Sequence, residues 1–300
     1  MAQPSLSAQV AELEAALELQ LFERDRRRVL ITPRGQALLE LARQILVQAD
    51  DLRASAKRVA DPFIGTLRIG VIPTIAPYLV PSATSGIRRS YPKLTTLWVE
   101  EKTDALSAQL AAGMIDGAVL ALEAELGEVD HAVIASDPFV LAAPQNHALM
   151  QKKAPITLKE LRSAELLLLD EGHCMREQAL EFCTSVKARE LEFRATSLST
   201  LVQLVVQGAG VTLLPRLALA TETQRAELGI REIAAPAPAR TIAMIWRKGS
   251  SLGSALAAIA VSIRENYPSV ASIKQPDAAK AQASITKRKR MSHPARDRVS

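Results

Sequence analysis

The sequence has few of the residues that cross-link or stiffen a protein. Its 300 residues include two cysteines, Cys174 and Cys183, and only 3% aromatic residues. Two cysteines make no disulfide framework, and the segment around them lacks the further ligands that zinc requires. We therefore predict neither a metal site nor a cofactor, and we predict cores built from aliphatic side chains because aromatic rings are so few.

Long hydrophobic runs are also missing. No apolar run reaches the roughly 18 residues of a membrane span, and no signal peptide opens the chain. These absences predict a soluble cytoplasmic protein without membrane contact. In a reducing compartment, a pair of cysteines is more often redox-sensing than structural.

The positive charge of the chain is concentrated at its C-terminal end. The net charge is +5, yet residues 271–300 carry eight Lys and Arg side chains against two Asp, so the remainder carries −1. We predict that residues 269–300 form a disordered basic tail. Such a tail either adds non-specific attraction to DNA or is a solvated charge run with no partner.

The segment around the cysteines predicts a helix with a reactive sulfur at its start. Apolar periodicity begins at Met175 and places Cys183 on the buried face. Cys174 precedes this helix, beside His173 and two positions before Arg176. Helix N-termini and nearby cations favour the thiolate form of cysteine. Cys174 therefore has the surroundings of a reactive thiol, whereas Cys183 alone could be an ordinary small core residue.

The spacing of the two cysteines excludes a disulfide while this helix is intact. Nine residues of helix advance ~13.5 Å, whereas a disulfide needs Cα atoms within about 7 Å of each other. Oxidation of the pair would therefore require the segment to unwind and repack. The bond would then act as a conformational switch.

The first sixty residues favour a helix, a hairpin and a long helix. Residues 3–17 predict a helix with Pro4 in its first turn, and an arginine cluster within a β-prone run at 21–35 suits a hairpin wing that contacts phosphates. A solvated charged loop is the alternative for that run. Residues 36–59 read as one long helix with a broad apolar stripe, which is either a dimerisation arm or an amphipathic surface helix.

Strand and helix patterns alternate from Thr66 onward, which predicts an α/β fold with mostly parallel pairing. Residues 133–143 read as two extended segments within it. Reactive sites in such folds gather at the C-terminal ends of strands. Thr74 follows the strand predicted at 66–72, and Cys174 follows the strand predicted at 166–169.

Several motifs resemble known regulators. Residues 3–10, Leu13-Glu14, Leu21-Phe22-Glu23-Arg24 and residues 30–35 resemble the recognition helix and wing of LysR-type transcriptional regulators. Gly172-His173-Cys174-Met175-Arg176 with Cys183, together with residues 193–198 and 210–215, resembles the OxyR-type hydrogen peroxide sensors of that family. The resemblance spans residues 3 to about 268.

The resemblance implies a domain organisation. Residues 1–35 would form a truncated winged helix-turn-helix, 36–62 a linker and dimerisation helix, and 63–268 an effector domain similar to periplasmic binding proteins. The effector domain would have subdomains 63–136 plus 239–268 and 137–238. The family also places two helices before the segment that begins here at Gln3. We therefore expect either a start codon further upstream or a product that binds DNA poorly.

The resemblance also implies site residues. Cys174 would be the peroxidatic cysteine and Cys183 the resolving one, with four residues around the reactive sulfur: Thr74, Thr103, His173 and Arg240. Without the resemblance, Thr103 and Arg240 would be taken for surface or turn residues. In the DNA-binding part, four residues would face the major groove and two arginines the backbone: Gln3, Pro4, Ser5 and Ser7, with Arg28 and Arg34.

The leading hypothesis is a regulator, not an enzyme, that senses hydrogen peroxide through a reversible disulfide between Cys174 and Cys183. Its partners would be double-stranded promoter DNA, hydrogen peroxide and a second copy in a homodimer or homotetramer, with RNA polymerase a further candidate. A LysR-type regulator or binding protein that responds to a small organic effector, with incidental cysteines, is the alternative. A thiol peroxidase ranks third.

Overall fold

A computed structural model describes residues 3–25, 28–58, 61–162, 164–169, 189–195 and 197–268. The predictions for His173, Cys174, Cys183, the helix from Met175 and the basic tail lie outside these residues. Within the described ranges, no helix is long and apolar enough to cross a membrane.

The N-terminal region consists of two helices that flank a β-hairpin. Helix α1 (Gln3–Leu17) precedes strands β1 (Phe22–Asp25) and β2 (Arg28–Ile31), and helix α2 (Pro33–Arg58) follows. The two strands pair antiparallel. The predictions of helix, hairpin and long helix are confirmed, although α2 begins three residues before the predicted start.

A carboxylate joins α1 to the hairpin. Glu14 accepts hydrogen bonds from the backbone N–H groups of Leu21 and Phe22, at 2.7 and 3.0 Å. Leu21 is buried, and its carbonyl lies where a Cβ on Gly35 would be, at 2.4 Å. Only glycine permits this close approach of α2 to the hairpin.

Both helices expose apolar side chains. Leu6, Leu13 and Leu17 of α1 are 40% to 53% exposed. Leu41, Ile45 and Leu46 of α2 are also exposed. The stripe predicted for the long helix, and the apolar side chains of α1, are therefore surfaces that the rest of the described chain does not cover.

The remaining elements alternate in the predicted way. The strands are β3 (Gly65–Val71), β4 (Leu94–Glu100), β5 (Gly117–Ala121), β6 (Val129–Pro144), β7 (Glu165–Leu169), β8 (Arg189–Ala195), β9 (Thr212–Pro215), β10 (Leu228–Glu232) and β11 (Ala239–Arg247). The helices are α3 (Ala76–Ser90), α4 (Thr103–Ala111), α5 (Leu158–Leu161), α6 (Leu198–Val206), α7 (Leu219–Arg225) and α8 (Gly253–Glu265), with 3-10 turns at Ala148–Met150 and Arg216–Ala218. Helix α7 and both turns were not predicted.

The main sheet has mixed pairing, so the prediction of mostly parallel strands is wrong. Its order is β10-β6-β11-β5-β3-β4, and β9 also pairs with β6. Strand β3 is parallel to β4 and β5, whereas β11 is antiparallel to β5 and β6, and β9 and β10 are antiparallel to β6. The last three strands, β9 to β11, therefore run in the opposite direction to the earlier strands of this sheet. The alternation of helices and strands along the sequence does not reveal this direction.

Strand β6 is one strand of 16 residues, which corrects the prediction of two extended segments. Its residues up to Pro138 pair with β11, and those from Phe139 onward pair with β9 and β10. Proline has no N–H to donate to a ladder. Pro138 is tolerated because it lies where the strand changes partners.

The core around these strands is aliphatic, as predicted, with few rings such as Phe139 and Trp246. Close packing of α4 on β3 depends on Gly70, where a Cβ would meet Leu106 and Ile115 at 2.6 and 2.8 Å. This contact fixes the position of α4, whose first residue is Thr103.

Candidate functional site

Three of the predicted site residues lie at one edge of the main sheet. Thr74 follows β3, Thr103 begins the helix after β4, and Arg240 is the second residue of β11. Because β3, β4 and β5 are parallel and β11 is antiparallel to β5, these positions share the carboxyl edge of the parallel strands. The N–H of Glu101 donates to the carbonyl of Val71 at 3.2 Å and holds the two loops together.

Arg240 is fully buried and forms the centre of the site. Its Nε donates to Oδ2 of Asp137 at 3.0 Å, and its Nη2 lies 2.9 Å from the same oxygen. Its Nη1 donates to Oγ1 of Thr74 at 2.8 Å, and its Nη2 donates to the Thr74 carbonyl at 3.1 Å. Arg240 is therefore neither a surface nor a turn residue, and it contacts the predicted Thr74.

Asp137 was not predicted to belong to the site. It lies directly opposite Arg240 in the β6–β11 ladder and is 1% exposed. Its Oδ1 accepts a hydrogen bond from the N–H of Leu217 at 2.9 Å. A charged residue inside an apolar strand needs a partner, because an unpaired buried charge is very costly. That rule could have marked Asp137 in the run from Val133 to Ala143.

The hydrogen bond from Arg240 fixes the direction in which the Thr74 hydroxyl can donate its proton. A threonine hydroxyl carries one proton and two acceptor lone pairs. Since Oγ1 accepts from Arg240, its own proton must point away from the guanidinium. Thr74 is thus prepared to donate a hydrogen bond at the edge of the sheet.

Thr103 carries a buried hydroxyl at the N-terminus of α4. Within the described part of the chain, neither its Oγ1 nor the Oγ of Ser107, one turn further on, has a hydrogen-bond partner. An unpaired buried polar group costs roughly 1–3 kcal/mol, so such groups are rare. Thr103 is buried and not a surface residue. Among the described residues, its hydroxyl keeps its full capacity to bind a small polar ligand.

Tyr267 also belongs to the surroundings of the ion pair. Burial raises the pKa of Tyr267, the Asp137 carboxylate raises it further, and the Arg240 guanidinium lowers it. The phenol therefore remains protonated at neutral pH. Tyr267 follows the last helix, and no motif in the sequence singled it out.

The two cysteines follow β7 in the sequence, and β7 ends at Leu169. The hydroxyl of Thr212 in β9 donates to the carbonyl of Leu167 in β7 at 2.7 Å and is buried. The β9 strand leads in turn to Leu217, whose N–H is bonded to Asp137. Two hydrogen bonds, joined by the backbone from Thr212 to Leu217, therefore connect the strand before Cys174 to the Arg240 cluster.

The predicted DNA-binding residues occupy the N-terminal helices and hairpin. Gln3, Pro4, Ser5 and Ser7 are in the first turns of α1, Arg28 begins β2, and Arg34 is in the first turn of α2. Ser7 and Arg34 are exposed. Among the residues that the structure describes, no three His, Cys, Asp or Glu side chains group as a metal site would require.

Known proteins are similar to this chain in sequence. Residues 60–268 match the LysR substrate binding domain, and residues 1–36 match the bacterial regulatory helix-turn-helix of the lysR family. A probable hydrogen peroxide-inducible genes activator from Mycobacterium avium is 42% identical over 252 residues, which cover 83% of this chain and 81% of that protein. This chain belongs to the LysR family, in its OxyR group.

Solved OxyR structures have the same fold. Full-length OxyR from Pseudomonas aeruginosa, in a variant with a cysteine replaced by aspartate, matches with a TM-score of 0.71 at 32% identity and covers 88% of this chain and 89% of its own. A cysteine-to-serine variant of Corynebacterium glutamicum OxyR with hydrogen peroxide bound matches with a TM-score of 0.67 at 32% identity and covers 96% and 89%. The LysR assignment and the α/β fold with a helix-turn-helix are confirmed.

Proposed function

We propose that this OxyR-group chain is a cytoplasmic transcriptional regulator that senses hydrogen peroxide through a reversible disulfide between Cys174 and Cys183. The observation that carries the proposal is the buried cluster of Thr74 and Arg240, with the Thr103 hydroxyl, which has no partner among the described residues, at the same sheet edge. The name of the Mycobacterium avium relative and the peroxide bound to the Corynebacterium glutamicum protein support this ligand.

The first chemical step is the attack of the Cys174 thiolate on one oxygen of hydrogen peroxide. The S–O bond forms as the O–O bond breaks, which gives a sulfenic acid and a hydroxide that takes up a proton and leaves as water. The sulfur is oxidised and the peroxide is reduced. Thr74, Thr103 and Arg240 would orient the peroxide, and His173 would favour the thiolate.

The second step closes the switch. The Cys183 sulfur attacks the Cys174 sulfur, the S–S bond forms as the S–O bond breaks, and the sulfenic hydroxyl leaves as water with the proton of the Cys183 thiol. Residues 171–187 would repack because the helical spacing does not allow the bond. The new packing would change subunit contacts and hence the spacing of the DNA-binding helices.

DNA recognition would use the N-terminal region. Gln3, Pro4, Ser5 and Ser7 would face the major groove, while Arg28 and Arg34 would contact phosphates. The exposed apolar side chains of α2 would join two copies into a homodimer or a homotetramer. RNA polymerase is the proposed partner at the promoter.

We keep the proposed domain organisation of a DNA-binding region at 1–35, a linker helix at 36–62 and an effector domain at 63–268. Its subdomains would be 63–136 plus 239–268 and 137–238. The change of partners along β6 at Pro138 and the start of β11 at Ala239 support crossovers at these places. We propose no catalytic turnover, since the Mycobacterium avium relative is named as an activator of genes.

Peptide mapping after mild oxidation tests the function. The reduced full-length protein is treated with substoichiometric hydrogen peroxide, digested without reductant and analysed by mass spectrometry. We expect one crosslinked peptide pair that contains Cys174 and Cys183. Cys183→Ser should stop at the sulfenic acid, and Cys174→Ser should not react.

Three results would contradict the proposal. Absence of the crosslinked pair in the wild-type protein would remove the redox mechanism, and a Cys174→Ser protein that still responds to a small organic effector would favour the alternative regulator. Sustained peroxide consumption with a thioredoxin-type reductant would instead indicate a peroxidase.

A further inference from the structure

Asp137 occupies a junction between the elements of the site. One of its oxygens faces Nε and Nη2 of Arg240, and the other accepts from the N–H of Leu217. Leu217 lies in the turn directly after β9, and β9 is bonded through Thr212 to β7. Asp137 therefore links Arg240, through Leu217 and β9, to β7, which is the strand that precedes Cys174.

The guanidinium of Arg240 is planar and donates in fixed directions. Asp137 occupies the edge formed by Nε and Nη2, which leaves Nη1 to donate to Thr74. Without a carboxylate at position 137, the arginine would have no anionic partner among the described residues to fix this edge. The direction of the Thr74 hydroxyl would then no longer be imposed.

We propose that Asp137 is a positioning residue for the reaction of Cys174 with hydrogen peroxide, and that it acts by fixing the Arg240 guanidinium against Thr74. The inference rests on the proposed function. Asp137 has no role in the chemistry itself, because its two oxygens are both engaged with Arg240 and with the Leu217 backbone.

The chain contains a matched pair for comparison. Arg231 in β10 is also buried, and it pairs with the carboxylate of Glu160. That pair holds a loop through the carbonyls of Leu149 and Ala154 and includes none of the proposed site residues. Glu160→Gln is therefore the control for neutralising the carboxylate partner of a buried arginine.

The test measures two rate constants on the full chain with Cys183→Ser, so that one thiol reacts. One is the rate constant of Cys174 with hydrogen peroxide, and the other is its alkylation by iodoacetamide, which reports thiolate fraction and access. We expect Asp137→Asn to slow the peroxide reaction at least about tenfold more than the alkylation, because small misplacements of positioning groups have such costs. Glu160→Gln should leave the ratio of the two rate constants unchanged.

A double-mutant cycle separates positioning from a general loss of structure. If Asp137 acts through Arg240, adding Asp137→Asn to Arg240→Lys should slow the peroxide reaction no further. Should Asp137→Asn fail to fold by circular dichroism, Asp137→Glu keeps the charge and moves the carboxylate. The same selective loss is then expected.

Equal slowing of both reactions, or additive losses in the cycle, would overturn the positioning role. The proposed function itself would be refuted by a different result, measured in the protein that retains Asp137. In that case Cys174 would fail to react with peroxide even when Asp137 is intact, whereas failure of the inference alone leaves that reaction fast in the protein that retains Asp137.

Discussion

Two buried arginines in this protein use their donors in different ways. Arg231 donates to the backbone carbonyls of Leu149 and Ala154 and pairs with Glu160, whose side chain is 23% exposed. Arg240 donates to both oxygens of Thr74 and pairs with Asp137, whose side chain is 1% exposed. Burial of an arginine therefore does not by itself identify a functional site.

The identity of the acceptors distinguishes the two arginines. A carbonyl has no proton to redirect when it accepts a hydrogen bond, so the bonds of Arg231 only fix the loop between β6 and α5. A hydroxyl that accepts must direct its own proton elsewhere, so Arg240 prepares Thr74 as a donor. Loss of either arginine should affect folding, whereas only loss of Arg240 should affect chemistry at Cys174.

The largest expected effect is on stability and follows from substitution of the two arginines by methionine. Arg240→Met leaves the Asp137 carboxylate buried without its cation, which should cost about 3–5 kcal/mol. Arg231→Met leaves carbonyls without donors while Glu160 keeps contact with water, which should cost about 1–3 kcal/mol. Urea unfolding of the reduced proteins measures both, and equal losses would remove the distinction between the two sites.

A buried carboxylate that accepts from two hydroxyls extends the comparison. Glu222 in α7 accepts from the hydroxyls of Tyr78 in α3 and Ser199 in α6, at 2.8 and 3.0 Å. Glu222→Ala removes the acceptor of both and should lower the free energy of unfolding by about 1–3 kcal/mol. Glu222→Gln retains an acceptor oxygen and should cost less, so a loss as large in Gln as in Ala would contradict these bonds.

Two buried threonines are expected to differ in how much their hydroxyls contribute to stability. Thr212 donates to the Leu167 carbonyl, so Thr212→Val should lower the free energy of unfolding by about 1 kcal/mol. Thr103 has no such bond within the described residues, so Thr103→Val should leave stability unchanged or raise it. Thermal unfolding measures both. A destabilised Thr103→Val protein would show that its hydroxyl is paired after all.

The smallest expected effect is the loss of stability at acid pH that follows from protonation of Glu160. The backbone N–H of Thr157, followed by Lys152 and other donors, lowers the pKa of Glu160 from 4.5 to about 2. The folded state thus favours the charged form, so this stabilisation is present above pH 4.5 and is lost as the pH falls towards 2. The thermal midpoints of wild type and Glu160→Gln should therefore converge over that interval. A constant difference between them would contradict the lowered pKa.

Local patterns in the sequence predicted most elements because each depends on periodicity within a few residues. The hairpin, the long helix and the strand before Cys174 follow from such patterns. Strand direction did not, since β11 joins β6 and β5 across about a hundred residues. The single β6 strand was missed because Pro138 is compatible with a strand only where the partner changes.

The site was predicted in part. Thr103 and Arg240 came only from family resemblance, whereas Thr74 was also marked by its position after a predicted strand. The structure places all three at one sheet edge and bonds Thr74 to Arg240. Asp137 was missed although it stands in an apolar strand, because its partner is known only once β6 and β11 are paired. The assignment of roles to Cys174, Cys183 and His173 remains a prediction from the sequence.

The most direct test of the difference between the arginines is the rate of Cys174 oxidation by hydrogen peroxide in Arg240→Lys and Arg231→Lys. Lysine keeps the charge but cannot contact a carboxylate and a hydroxyl in the fixed geometry of a guanidinium. We predict that Arg240→Lys slows the oxidation at least about tenfold, while Arg231→Lys matches the wild type. Equal rates in all three proteins would contradict the assignment of Arg240 to the peroxide site.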